Sequence, residues 1–234
     1  MDASNLLGLL AETLARLDTG MPLASRLCRA CVEIFGAQGG ALTLSPSLEE
    51  RLVVGTSDGV SARIEDLQEV LGEGPGQLAL EQDRLVVARV DGTTAGTFPL
   101  FSQMVGSIGG PVTAYAVPMR VRGTVVGVLS LYTTDGHLSR DLVDVQFLAD
   151  AVGTSLLDDV EPLDWSAQAR AYQAAGMVTA QLRIPPADAL AVLRAHAFAR
   201  SSTLQDVVDD VLAHRLDFAH DDASDDETER TEEP

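Results

Sequence analysis

Apolar residues at helical spacing open the chain. Leu6, Leu9, Leu10, Leu14 and Leu17 share one side of a helix predicted over residues 5–17. A second helix, over 22–35, starts at Pro22 and stops at Gly36, with Leu23, Leu27, Cys28, Cys31, Ile34 and Phe35 as its stripe. The pattern then shortens to strand length, at 40–44 and 52–56, around a polar loop with Pro46. A short amphipathic helix over 62–71 follows, then the turn Gly72-Glu73-Gly74-Pro75-Gly76 and a helical stretch to about residue 81. A strand over 85–90 and a short helix over 98–105 lead to two strong strands, 112–119 and 125–132, linked as a hairpin by Arg120-Val121-Arg122-Gly123-Thr124. The helix over 139–157 closes this region, with Leu142, Val145, Leu148, Ala149, Val152 and Leu156 at helical spacing. This order predicts an α+β layer: a mainly antiparallel sheet with helices packed on one face.

Pro162 sits in a break, and beyond it the pattern is wholly helical. Helices are predicted over 164–182, from Pro185-Pro186 to about 200, and after Ser202-Thr203, where Thr203 and Asp206 have capping-box spacing. Leu204, Val207, Val208, Val211 and Leu212 form the stripe of the last one. The predicted organisation is an α+β domain over 1–158, a linker over 159–163, an all-α three-helix domain over 164–218 and an acidic, disordered tail over 219–234.

Charge sharpens this division. The chain has 234 residues, a net charge of −19, and arginine as its only strongly basic residue. Residues 1–161 carry a net −11, residues 162–216 a net zero and residues 217–234 a net −8. An acidic body opposes nonspecific binding to nucleic acid or anionic membranes, so a polyanion partner would dock on 162–216. The start, Met1-Asp2-Ala3-Ser4, lacks the positive charge of a secretory leader, and the longest uncharged run, 92–119, is broken by Pro99, Pro111 and Pro118. A cytoplasmic location without membrane attachment is expected.

Cys28 and Cys31 have the spacing of a redox pair or half a zinc site. Zinc takes about four ligands; no second cysteine pair exists, and His137, His196, His214 and His220 are not at ligand spacing. Both cysteines also lie on an apolar stripe, where a thiol behaves as a small hydrophobe. The glycine-rich turn at 72–76 matches neither phosphate-loop spacing. No catalytic residue, metal or cofactor is expected.

The first 157 residues resemble a GAF domain. The likeness is carried by Gly72-Glu73-Gly74-Pro75, by Phe98-Pro99-Leu100-Phe101, and by the hairpin from Ala116-Val117-Pro118-Met119 through Gly123 to Val126-Gly127-Val128-Leu129-Ser130-Leu131-Tyr132. It implies a small-molecule sensor with a pocket at Phe98, Phe101, Met104 and Tyr115. Residues 164–218 resemble an ANTAR domain, the RNA-binding module of antitermination regulators. Its carriers are Gln173-Ala174-Ala175-Gly176-Met177-Val178, then Ala189-Leu190, Leu193-Arg194-Ala195 and Ala197, then Leu204, Asp206-Val207 and Val211. That likeness implies binding of RNA stem-loops in nascent transcripts, through Arg170, Gln173, Ala174, Gly176, Met177, Arg194 and Arg200, in a homodimer.

Two departures stand out. Many members of that family have Lys where Ala175 stands, and a Ser-type cap where this chain has Pro185. Arginine pairs with phosphate and stacks on bases, so Arg170, Arg183, Arg194, Arg200 and Arg215 could support a small RNA footprint, or simply pair with nearby acids. Gly176 and Ala174 would admit a close nucleotide or a close helix. Trp165 and Tyr172, seven residues apart, suit a coiled-coil seam or base stacking. The alternative to RNA is a signalling protein that acts through a protein partner.

Overall fold

The computed structural model describes residues 3–47, 50–92, 96–158 and 166–218. The chain divides into two compact units, Met1–Glu161 and Pro162–Pro234. The expected linker, Trp165 and the acidic tail lie outside the described residues.

In the first unit, α1 (Ala3–Arg16) and α2 (Leu23–Phe35) precede β1 (Gly39–Ser47) and β2 (Glu50–Thr56). Then come α3 (Gly59–Leu71), α4 (Pro75–Gln82), β3 (Val86–Val90), α5 (Pro99–Gly109), β4 (Val112–Val121), β5 (Thr124–Thr133) and α6 (Leu142–Asp158). The α2 stripe is buried as its periodicity requires, with Leu27, Cys28, Cys31, Ile34 and Phe35 all inside. Gly36 ends that helix at φ 65°, a left-handed conformation that glycine adopts at no steric cost. Asp58 starts α3 by accepting the backbone N–H groups of Val60 and Ser61.

The five strands form one antiparallel sheet in the order β2-β1-β5-β4-β3. β4 and β5 meet through the two-residue turn Arg122-Gly123, at φ 52° and 81°. Those positive values are what a type I′ hairpin needs.

Helices cover both faces of this sheet, not the single face expected. Successive strand residues point to opposite sides. Met119 meets α6 at Gly153, and Gly55 of β2 meets the α2 backbone at Ala24. Ala114, Ala116 and Val128 instead join a core with Ile64, Ala79, Leu80, Phe101 and Val105, from α3, α4 and α5. A sheet flanked on both sides loses polar alternation, and β5 is accordingly buried without a break from Gly127 to Thr133.

The second unit contains α7 (Ser166–Leu182), α8 (Pro186–Ala199) and α9 (Leu204–Leu212) among the described residues. Its core is small at the centre: Ala174, Ala175, Val178, Ala189, Leu193 and Ala197 pack with Val207, Val208 and Val211. Thr203 and Asp206 form the capping box at the start of α9. Pro185 caps α8 without a side-chain bond, and Pro186 occupies its first turn. After α9 the chain returns to α7, where the Phe218 N–H donates to Gln181 Oε1 at 3.3 Å and the Phe218 ring packs edge-on to His196.

Candidate ligand site and helical surface

The layer between the sheet and α3–α5 has two different halves. Toward β3 and β4 it is apolar, and Phe98 and Phe101 stand edge to face with centroids 6.5 Å apart. Toward β1 and β2 it holds charge. The amphipathic spacing of α3 puts Ile64, Glu65 and Gln68 on its inward face, so a carboxylate enters the core. Glu65 is fully buried and Arg51, from β2, keeps only 7% of its side chain exposed.

Three donors converge on that carboxylate. Arg51 Nη2 reaches Oε2 at 2.9 Å, the Tyr132 hydroxyl reaches Oε1 at 2.5 Å, and Thr43 Oγ1 lies 3.5 Å from Oε2. Burial, and then the adjacent Glu65 charge, hold the Tyr132 phenol protonated well above its usual range, which keeps it a donor. Gln68 accepts the Gly76 N–H at 2.8 Å, tying α3 to the first turn of α4. Glu73 accepts the Phe101 N–H at 2.8 Å, tying the same turn to α5. Arg51 Nε and Nη1 are buried without an acceptor.

The expected pocket residues are only partly brought together. Phe98 and Phe101 are buried in the α3–α5 layer and Met104 is half-buried on α5. Tyr115 shares the strand parity of Met119 and so points to the opposite face of the sheet. There its hydroxyl donates to the Gly136 carbonyl at 2.7 Å and pins the loop before α6. Arg51, Glu65, Gln68 and Tyr132 were not among the expected site residues. A glutamate on the apolar side of α3 is the one sign of them in the sequence.

The thiols are inert. Burial pushes Cys31 up to about 12, and burial followed by the Cys31 charge pushes Cys28 higher still. Neither supplies thiolate at neutral pH. Among the described residues, no group of three or more His, Cys, Asp and Glu could hold a metal ion. No described helix is long and apolar enough to cross a membrane.

On the second unit, Arg170, Gln173 and Gly176 are exposed along α7, and Arg200 is exposed where α8 ends. Met177 and Arg194 are half-buried, and Arg194 Nε is enclosed without an acceptor. Ala174 is fully buried, which corrects its placement on an RNA-facing surface: it packs inside the three-helix core. Ala175 is buried too, so in this fold a lysine there would point its charge into the core, not at phosphate. Among the described residues a Cβ on Gly176 would meet nothing within 4 Å, so the packing of α7, α8 and α9 seen there does not require that glycine. Arg170 pairs with Asp209 at 2.6 Å and Arg215 with Asp210 at 2.8 Å.

No protein of curated function matches the chain. Several solved structures are similar to it. The GAF domain of a phosphoenolpyruvate-protein phosphotransferase from Coxiella burnetii is 13% identical, covering 68% of this chain and 96% of that one, with a TM-score of 0.46. The free methionine-R-sulfoxide reductase of Neisseria meningitidis, solved with its substrate, is 15% identical, covering 70% and 95%, with a TM-score of 0.44. The A. aeolicus nlh2 GAF domain in an inactive state is 12% identical, covering 66% and 92%, with a TM-score of 0.42. A family model described as the GAF domain matches residues 22–156, more than half of the chain. With that match the resemblance of the first unit holds, and the chain belongs to the GAF family of small-ligand-sensing signalling domains.

Proposed function

We propose that the chain is a signal-responsive RNA-binding regulator of transcription antitermination, with a GAF sensor controlling an ANTAR-type three-helix unit. The sensor's ligand state sets the affinity of that unit for stem-loops in nascent RNA, within a homodimer. No chemical step is involved. Such a switch needs a ligand that binds the two states with different affinity.

Gly176 is the observation that carries this reading. Glycine inside a helix costs roughly 1 kcal/mol relative to alanine. Here it stands on the exposed side of α7 near Arg170 and Gln173, and among the described residues no neighbour needs the space. A nucleic-acid backbone that approaches α7 closely gives the missing Cβ a purpose. The family motif around Gln173-Ala174-Ala175-Gly176-Met177 supports the same conclusion.

Fluorescence anisotropy of the full chain with a tandem stem-loop RNA, against a scrambled control at two salt concentrations, tests it. Gly176→Ala is expected to raise the melting temperature of the second unit and to weaken specific binding. A variant that gains stability and binds RNA as before removes the main support.

The Arg170–Asp209 and Arg215–Asp210 pairs favour a second reading, because paired arginines have less charge to offer phosphate. The partner is then a protein. Absence of salt-sensitive RNA binding by the full chain, with and without the tail after Phe218, selects that reading.

A further inference from the structure

We propose that Arg51 anchors a small-oxyanion site in the sensor, so that the ligand presents a carboxylate or phosphate group to the buried end of α4. This deepens the sensor reading above and presupposes that the first unit binds a small molecule.

Four features converge on one spot. The Arg51 side chain is more than nine-tenths buried, and its bond to Glu65 uses Nη2 alone. Nε and Nη1 have no acceptor, although both are shut off from solvent. Buried donors are almost always satisfied, because a donor stripped of water without replacement costs free energy, more so when charged. The guanidinium also lies against the start of α4: a Cβ on Gly76 would stand 2.9 Å from Nη2. A helix N-terminus carries partial positive charge. That end of α4 adds its partial charge beside the guanidinium, although its Gly76 N–H is already accepted by Gln68.

Glu65 does not complete the set. Its carboxylate already accepts from Tyr132 and lies within reach of Thr43, and it meets the guanidinium at one nitrogen. A second oxyanion on the other side of the guanidinium satisfies the orphaned donors and lowers the local positive potential. A neutral carbonyl or hydroxyl oxygen would accept from the same donors through weaker bonds and leave the charge, and a cation does neither. Gly74 and Gly76 let Gln68 and Arg51 pack against this end of α4: a Cβ on Gly74 would stand 2.4 Å from Gln68 Oε1.

Thermal unfolding of the full chain in acetate or inorganic phosphate, against chloride at equal ionic strength, provides the test. A saturable rise in the melting temperature is expected with one oxyanion; which of the two acts separates a carboxylate ligand from a phosphate ligand. The comparison is Arg51→Met combined with Glu65→Gln, which removes both charges and avoids stranding one. Loss of charge-assisted bonds should weaken binding roughly tenfold or more in that variant. No stabilisation by either oxyanion, or equal stabilisation of the double variant, overturns the assignment; a water molecule or an adventitious surface ion then accounts for the result. Mass spectrometry of small molecules released on unfolding separates this failure from that of the sensor reading. A neutral compound retained by wild type sinks the oxyanion site and leaves the sensor standing.

Discussion

The Arg51–Glu65 and Arg170–Asp209 pairs look alike as distances, at 2.9 and 2.6 Å, and the shorter is the weaker. Arg51 and Glu65 are 7% and 0% exposed, while Arg170 and Asp209 are 46% and 43% exposed. Water screens the second pair and competes for both of its partners, so it contributes little. The first pair has lost its water, and each partner depends on the other. Burial, not separation, decides what an ion pair does: one organises a core, the other leaves a cation free to exchange partners at a surface.

Arg51→Met alone should break this contrast hardest. It leaves the Glu65 charge buried and should cost about 3–5 kcal/mol in urea unfolding of the full chain, most of it restored by adding Glu65→Gln. A loss under 1 kcal/mol would mean that water already reaches the carboxylate.

Glycine sharpens the same contrast. Gly76→Ala drives a methyl to 2.9 Å from Arg51 Nη2 and 3.1 Å from Gln68 Oε1, and about 1–3 kcal/mol of destabilisation is expected. Gly176→Ala, with open space around it, should stabilise by up to about 1 kcal/mol. Equal signs for the two substitutions in thermal melts would show that one site is misjudged.

The Asp58 cap is an intermediate case, a partly exposed carboxylate with several donors. Burial pushes its pKa up, but bonds from Ser57, Ser61 and Val60 outweigh this and leave it below its ordinary range. Lowered in the folded state, it contributes stability that is full above the unfolded value of about 3.9 and is lost as pH falls through the lower folded value. Asp58→Ala should cost about 1 kcal/mol at neutral pH and flatten the acid limb of the stability profile. An unchanged acid limb would remove Asp58 as a source.

Smallest of all is Arg170→Ala, expected to change stability by less than about 1 kcal/mol while weakening RNA binding. A larger stability loss would make Arg170 a structural residue of α7 and α9.

The order of elements was legible because the periods were clean, and Gly36, Asp58 and the Thr203 box set their ends as local chemistry demands. The helices on the second face were less so. A helix pattern does not say which side of the sheet its crossover takes, and Ser130 interrupts the apolar residues of β5, whose burial from both sides shows only in the structure. Phe98 and Phe101 were legible as a pair, whereas the face of Tyr115, opposite to theirs, turns on one residue of strand parity. The Arg51 cluster stayed hidden for a different reason. Its members lie on β2, α3, α4 and β5, and only tertiary pairing turns an isolated inward carboxylate into a network. Ala174 shows the same limit: a small residue reads equally as contact surface or as core until the rotation of α7 is known.

Gly76 has an evolutionary consequence. A side chain at that position displaces the guanidinium of Arg51, and without Arg51 the carboxylate of Glu65 is stranded. These three positions cannot drift one at a time. Lineages that acquire a bulkier residue at 76 should also have replaced the arginine and the glutamate, so the trio should be inherited, or lost, as one character.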